Sequence, residues 1–434
     1  MGSHPLPHPW SSSEPVAFAK SSRAGDTLGG MADRKLPLPA PVREVLAELT
    51  GDGHRAALVG SCVRALLGGA VARDYEVASS APAERVLALF PHAIPIAPRY
   101  GTVMVPTPAG PVDVTGFRGG ALLEDELARR DFTIDAIAYD PLAGGGPSFV
   151  DPQGGLGDLE AGRLRAVGST RARLEEDPLR ALRAARLVAE LPVKANAELE
   201  DAMARVRPAV GSLAAHRIRQ EISRLLLAPR AGAGLDLLRR TGVEATVAPG
   251  VLADAAGLVD HLPPELPLRL AGWLRGTRAA KILIRLRFSA PVVRDVESLL
   301  ASHPLDRHLS PNRGSELRRL IHRAGEANLD RLFALREAEL ASGCVTRKEA
   351  AEIRSRLSRL REGLERVRSD GEEALRRTRL AVGGREVMEV LEVGPGPVVG
   401  RALHYLNHRV QEDPGCNTEE QLRELLRAWE DTGG

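Results

Sequence analysis

Strand signals stop near Gly168 and do not return. Upstream, over about residues 37–150, short apolar runs alternate with short amphipathic stretches. Pro41–Leu49 reads as a helix, and Ala56–Val59 is an apolar run that ends in Gly60-Ser61. Val63–Leu67 restarts as a helix, and Tyr75–Ala78 mixes polar and apolar residues as a strand does. Ala83–Phe90 is a helix entered through Pro82. Thr102–Pro106 and Val112–Phe117 bracket the turn residues Pro108 to Pro111. Asp135–Tyr139 is a further short helix or strand. This alternation predicts a compact α/β head. Downstream, amphipathic helices follow one another, broken at Pro192, Pro208, Pro229, Pro249 and Pro263-Pro264. In the densely charged stretch Thr346–Arg379, Leu357, Leu360, Leu364 and Val367 form one apolar stripe. The expected fold is therefore an α/β head followed by an elongated, all-helical body. Met1 to about Arg34 is rich in Ser, Pro, Gly and His and has no period, so it reads as a disordered tail.

The apolar runs fall well short of the roughly 18 residues that a membrane span needs. The start of the chain has no apolar signal region. Cys62, Cys344 and Cys416 lie too far apart for a disulfide framework or a cysteine zinc site. A soluble, cytoplasmic protein with no membrane partner is expected. Of the 59 basic residues only five are lysine, and the formal net charge is +2. Arginine richness of this kind follows from a GC-rich genome, so the placement of the arginines carries more than their number.

Three constellations carry chemistry. In the first, Gly60-Ser61 precedes Asp74-Tyr75-Glu76 by twelve residues. On a strand, residues two apart share a face, so Asp74 and Glu76 can converge on one hard cation. Small residues at 60–61 let a backbone turn approach phosphate oxygens. Asp113, on a separate strand, offers a third carboxylate. Three carboxylates with a Gly-Ser turn suit in-line nucleotidyl transfer with Mg²⁺. Taken alone, Asp74 and Glu76 would read more readily as an exposed strand face; the Gly-Ser turn at this distance reverses that preference. The second constellation is Arg129-Arg130-Asp131, whose paired arginines could clamp a triphosphate or sugar, or simply start a charged helix.

The third runs from Glu176 to Arg186. Asp177 fits an N-cap before Pro178. Arg180, Arg183 and Arg186 then recur every three residues on one helix stripe, which capping does not explain. Between Arg163 and Arg230 there are 14 basic and eight acidic residues, a surface suited to a nucleic-acid backbone.

The motifs LVGSCVRALLGG (58–69), RDYEVASSAPAERVLALF (73–90), RYGTVMV (99–105), VDVTGFR (112–118), RRDFTIDAIAYD (129–140), DPQGGLGDL (151–159), EDPLRALRAAR (176–186) and HRIRQEISRLL (216–226) occur in this order. Together they resemble the class II tRNA nucleotidyltransferase and bacterial poly(A) polymerase family, over about residues 37–434. The resemblance implies a polymerase-beta-like nucleotidyltransferase head at 37–160 and a nucleotide-recognition neck at 161–230. It implies a helical body at 231–345 and a tRNA-binding tail at 346–434, after a disordered segment at 1–36. By the same resemblance Asp74 and Glu76 hold Mg²⁺, and Asp113 is the third catalytic carboxylate. Gly60, Ser61 and Arg64 match the triphosphate loop, and Arg130 the nucleotide clamp. Asp177 and Arg180 match the pair that reads the base, supported by Arg183 and Arg186. The implied reaction transfers CMP from CTP, with or without AMP from ATP, to the 3′ end of tRNA. Poly(A) polymerase, or a degenerate RNA-binding protein without catalysis, are the alternatives.

Ser61 in place of the usual Gly and Glu76 in place of the usual second Asp are substitutions that the wider polymerase-beta-like superfamily allows, and two other residues depart further from the family pattern. Ala65 stands where an Asp is expected after Arg64, and Asp135 where an Asn is expected. A third departure is a shortening. Relatives carry a long flexible segment after the strand matching VDVTGFR, whereas here only Gly119 to Ala128 separate Arg118 from Arg129. In this family such a loss accompanies CC addition without the terminal A. Leu122–Ala128 already reads as a helix with acidic residues in its first turn, which leaves three residues of free connection.

Overall fold

The computed structural model describes residues 35–72, 74–97, 101–118, 122–307, 309–343, 346–377 and 380–429, with the backbone alone at 370–377, 411 and 414. The expectations for the N-terminal tail and for the free connection at 119–121 lie outside those residues. The chain divides into two compact units. One runs to Val251 and takes in Arg285–Arg287; the other comprises Leu252–Ile284 and Phe288–Gly434.

The first unit opens with a seven-stranded sheet. Its strands are β1 (Ala56–Val59), β2 (Tyr75–Ser79), β3 (Ile94–Ala97), β4 (Thr102–Thr107), β5 (Gly110–Gly116), β6 (Ala138–Asp140) and β7 (Ser148–Val150). Their spatial order is β3-β4-β5-β2-β1-β6-β7. Only β2 and β5 pair in parallel; the other neighbours are antiparallel. Period-two alternation sets what each of these two strands buries. Tyr75, Val77, Val112 and Val114 point into a core shared with Val42, Val45, Leu46 and Leu49 of the Ala40–Gly51 helix. Glu76 and Asp113, between those apolar residues, therefore face the other way.

The DPQGGLGDL run has a structural task. Both Asp151 carboxylate oxygens accept from the helix start, at 2.7 Å from Gly155 N and 2.9 Å from Leu156 N. Asp158 accepts from Thr133 Oγ1 at 2.6 Å and so fixes the short Thr133–Asp135 turn. Gly155 packs so closely on that turn that a Cβ there would collide with Thr133 O and sit 2.8 Å from an Ile137 methylene. The first neighbour is backbone and cannot swing aside. Gly155→Ala is expected to cost at least about 1–3 kcal/mol, the usual range for overpacking, read as a fall in the denaturation midpoint with no change in m-value.

Past Arg163 the unit is helical, apart from the two-residue strands Arg163–Leu164 and Lys194–Ala195. The Leu179–Glu190 helix packs on Ala215–Leu227 and Ala231–Arg240. Gly234 permits the last contact: a Cβ would lie 2.6 Å from Ala185 O.

The second unit is helical among its described residues. Its Leu266–Leu274 helix buries Trp273 completely. The 31-residue Arg347–Arg377 helix buries Leu357, Leu360, Leu364 and Val367, the stripe expected from the sequence. The last helices, Gly384–Leu391, Pro397–Glu412 and Glu419–Arg427, close a small core of their own around Val387, Leu406 and Leu422. Among the described residues, no helix is long and apolar enough to cross a membrane.

Candidate active site

Parallel pairing brings the chemistry together. Glu76 and Asp113 are register partners on β2 and β5, and Asp74 lies just before β2. Crowding shows in the Asp113 carboxyl: burial pushes its pKa up, and the neighbouring charges of Glu76 and Asp74 push it further. β1 ends at Gly60, whose φ of +78° turns the chain into the Ser61–Leu67 helix. A Cβ on Gly60 would meet Arg130 Nη1 at 2.6 Å and Glu76 Oε2 at 2.8 Å. Glycine is thus required twice, for the left-handed turn and for the space the ion pair fills.

Arg130 grips Glu76 with both ends of its fork, Nη1 to Oε2 at 2.9 Å and Nη2 to Oε1 at 2.8 Å. Burial alone would depress the Arg130 guanidinium, but Glu76 outweighs it and holds its pKa above the ordinary value. Its Nε is buried without a partner among the described residues. Arg64 is buried too, and its guanidinium is turned onto the Asp135 carboxylate. Burial lowers the Arg64 pKa to about 10. Asp135, which departs from the family pattern, is therefore the counter-charge of Arg64.

Asp131, between Arg130 and Phe132, receives Arg180 Nε at 2.5 Å and a second donor from Arg183. Burial would raise the Asp131 carboxyl, yet Arg183 and Arg180 hold it below the ordinary range. Arg180 Nη1 also donates to Glu176 at 2.7 Å and to the Arg173 carbonyl. Asp177 does serve as a cap, accepting from Leu179 N at 3.1 Å, and its other oxygen accepts from Arg217 at 2.8 Å. Arg186 is held by Glu221 at 2.7 Å and by Glu190.

A cavity of about 1270 Å³ connects these groups. Ser61, Glu76, Arg130, Asp177, Arg180, Arg183 and Arg186 stand on its wall, as do Asp131, Arg217 and Glu221. Gly60, Arg64, Asp74 and Asp113 do not. Asp131, Arg217 and Glu221 do not stand out from the sequence pattern, though each leaves a trace there. Asp131 sits inside the RRD run, and Arg217 and Glu221 are four apart, on one helix face.

The implied divalent cation has a matching donor chemistry. Glu76, Asp113 and Asp74 present only hard oxygens, and their mutual repulsion is what a cation would relieve. In the present arrangement both Glu76 oxygens face Arg130. No group of three or more His, Cys, Asp or Glu among the described residues is close enough to share an ion. Asp74, expected on the strand beside Glu76, stands one residue outside it. The chemistry of these carboxylates suits the cation, and Glu76 would have to leave Arg130 to take part.

Comparison with known proteins finds similar chains and folds. The poly A polymerase head domain model matches residues 56–165, and the model described as "Probable RNA and SrmB- binding site of polymerase A" matches 196–255. The CCA-adding enzyme of Geobacillus thermodenitrificans is 33% identical over 222 residues, covering 48% of this chain and 54% of the relative. The CC-adding tRNA nucleotidyltransferase of Halalkalibacterium halodurans is 35% identical over 207 residues, 48% of this chain and 53% of the relative. Each of these two matches spans about half of the relative's length. The crystal structure of the Bacillus stearothermophilus CCA-adding enzyme in complex with CTP superimposes with a TM-score of 0.70 at 26% identity, covering 90% of this chain and 98% of that one. With a poly A polymerase head match, a helical body and the carboxylates of β2 and β5 in register, the chain is similar in sequence and fold to CCA-adding and CC-adding tRNA nucleotidyltransferases.

Proposed function

We propose that the protein transfers CMP, from CTP, to the 3′ end of tRNA without a nucleic-acid template. The observation that carries this is one continuous cavity. It joins the Glu76 end of the carboxylate group to the Arg180–Asp177 helix start. At one end Ser61 and Arg130, both on the cavity wall, would hold a triphosphate. Glu76, Asp113 and Asp74 would hold Mg²⁺, which when bound supplies positive charge at the reacting phosphate and lowers the pKa of the attacking hydroxyl. Arg130 is then needed elsewhere: with a triphosphate present its fork has a second acceptor, and releasing Glu76 frees both carboxylate oxygens.

At the other end, Asp177 and Arg180 offer an acceptor beside a donor. Cytosine and adenine each carry an exocyclic amino donor next to a ring-nitrogen acceptor and complement that pair. Uracil and guanine reverse the pattern and would leave buried groups unpaired. Arg180 keeps Nη2 for the base, since Nε and Nη1 are engaged by Asp131, Glu176 and the Arg173 carbonyl among the described residues. Asp177 keeps spare lone pairs, while Arg217 holds it ionised and oriented.

Incubating tRNA that lacks its CCA end with CTP alone, ATP alone and both, then sequencing the products, tests the reading. CMP incorporation is expected with CTP alone. A ladder of A residues with ATP alone would assign the protein to poly(A) synthesis instead, and no incorporation under any condition to RNA binding without catalysis. Asp177→Ala with Arg180→Ala is expected to admit UTP or GTP, each lost discriminating contact being worth about 1–3 kcal/mol. Equal loss of rate for all four nucleotides would make the pair structural.

A specific observation favours CC addition over CCA addition. Arg118, on the cavity wall, binds Glu126 through its backbone N at 3.2 Å and through Nε at 3.1 Å. Glu126 is fully buried. Arg118 and Glu126 are thereby tied to each other, and the Leu123–Leu127 helix buries Leu123 and Leu127 completely.

A further inference from the structure

We propose that the helical unit carries an oxyanion site, taking a phosphate group, in a cavity beside His303. The cavity has a volume of about 390 Å³ and shares no residue with the nucleotide pocket. Its wall includes Arg275, Arg307, Arg336, His303 and Glu339. The unspent hydrogen-bonding capacity on that wall identifies the ligand.

The carboxylates of the cluster are all engaged. Glu339 receives Arg336 Nη1 at 2.7 Å and a donor from Arg275, and it lies 3.0 Å from His303 Nε2. Asp306 receives Arg336 Nε at 2.7 Å, and Asp254 receives Arg275 Nη2 at 2.5 Å. Burial alone would raise the Glu339 carboxyl. His303, Arg336 and Arg275 instead hold its pKa at about 2, so it stays an acceptor already spent on cations.

The atoms left over are nitrogens. Arg275 Nε and His303 Nδ1 are buried without a hydrogen-bond partner among the described residues. The His303 side chain is only 5% exposed. Arg307, exposed on the same wall, has no ion-pair partner among the described residues. A guanidinium N–H can only donate, and a protonated ring nitrogen of an imidazole donates as well. A cavity wall that carries three arginines and a histidine, beside carboxylates already engaged, calls for a ligand rich in acceptors. A tetrahedral oxyanion offers acceptors on every side, with the exposed Arg307 as its first donor. Both a free phosphate and a backbone phosphate of RNA supply that chemistry. The depth of His303 favours the free anion.

Titration calorimetry of the full chain with inorganic phosphate tests the proposal, using the wild type, Arg307→Ala, His303→Asn and Arg130→Ala. Arg307 is exposed, so its variant keeps the fold even if the buried histidine proves indispensable. Saturable binding is expected in the wild type and in Arg130→Ala. In Arg307→Ala and His303→Asn it should be about tenfold weaker or lost, the weight of one charge-assisted hydrogen bond. Displacement of the bound phosphate by a short RNA would assign the group to an RNA strand, and its persistence to a free anion; the site stands in either case. Binding that disappears in Arg130→Ala but not in Arg307→Ala would place the anion in the nucleotide pocket and overturn the proposal. So would a wild type that shows no saturable binding, with water then filling the cavity.

Discussion

Asp74→Ala is expected to reduce nucleotide addition by about a thousandfold or more, the scale of removing a principal charge-stabilising group from a reaction centre, with the fold intact. Asp74 is exposed and precedes β2 rather than filling the core, so its loss should move stability by no more than about 0.5 kcal/mol. Its charge nevertheless reaches the reaction centre, since it contributes to the raised Asp113 carboxyl. Two readings follow from one variant. The extension assay should fall to background, and the Asp113 carboxyl, followed by NMR titration, should move down toward its ordinary value. Activity near wild type, under Mg²⁺, would remove Asp74 from the site. A lost denaturation transition would instead show that the residue supports folding.

The second large effect concerns the last nucleotide. CMP addition should proceed through CC, and AMP addition to a tRNA ending in CC should be slower by roughly 100-fold, the extent to which a rigid pocket rejects a misfitting group. Adenine presents the same amino and ring-nitrogen edge as cytosine, but its second ring sets the sugar further from that edge. A pocket that serves both must change shape between them. Here Arg118 is bound to the buried Glu126, the helix that carries Glu126 is anchored by Leu123 and Leu127, and only ten residues separate Arg118 from Arg129. Single-turnover rates for CMP on a tRNA ending in C, and for AMP on one ending in CC, give the comparison. Equal rates would show that another element supplies the movement and would leave CMP transfer untouched.

Several parts of this site are legible in the sequence. Alternating polarity around Glu76 and Asp113 places both on strands, and the glycine at 60 marks a turn near phosphate. Their register is not legible, because β2 and β5 are neighbours only through a long crossover that local pattern does not specify. Ile94–Ala97 does not read as a strand because Pro95 interrupts it. Proline is tolerated there because β3 lies at the sheet edge. The stretch Asp135–Tyr139, which reads as one element, is divided: Thr133–Asp135 is a 3₁₀ turn and Ala138–Asp140 is β6. The partners of the arginines are hidden for a different reason. A stripe at 180, 183 and 186 announces a charged face, but the carboxylates that saturate it, Asp131 and Glu221, come from about fifty residues upstream and about forty downstream.

Asp131 sits next to Arg130 in the chain and grips Arg180 and Arg183 on another helix. In the proposed reaction, the residue that would hold the phosphate end of a nucleotide and the residue that would meet its base are joined through one carboxylate. Such a pair works as a calliper whose jaws are set by a single rivet. A nucleotide is then gauged by the span from its base edge to its phosphates as well as by its hydrogen bonds, and an NTP of the wrong span would be refused while its base was correctly paired.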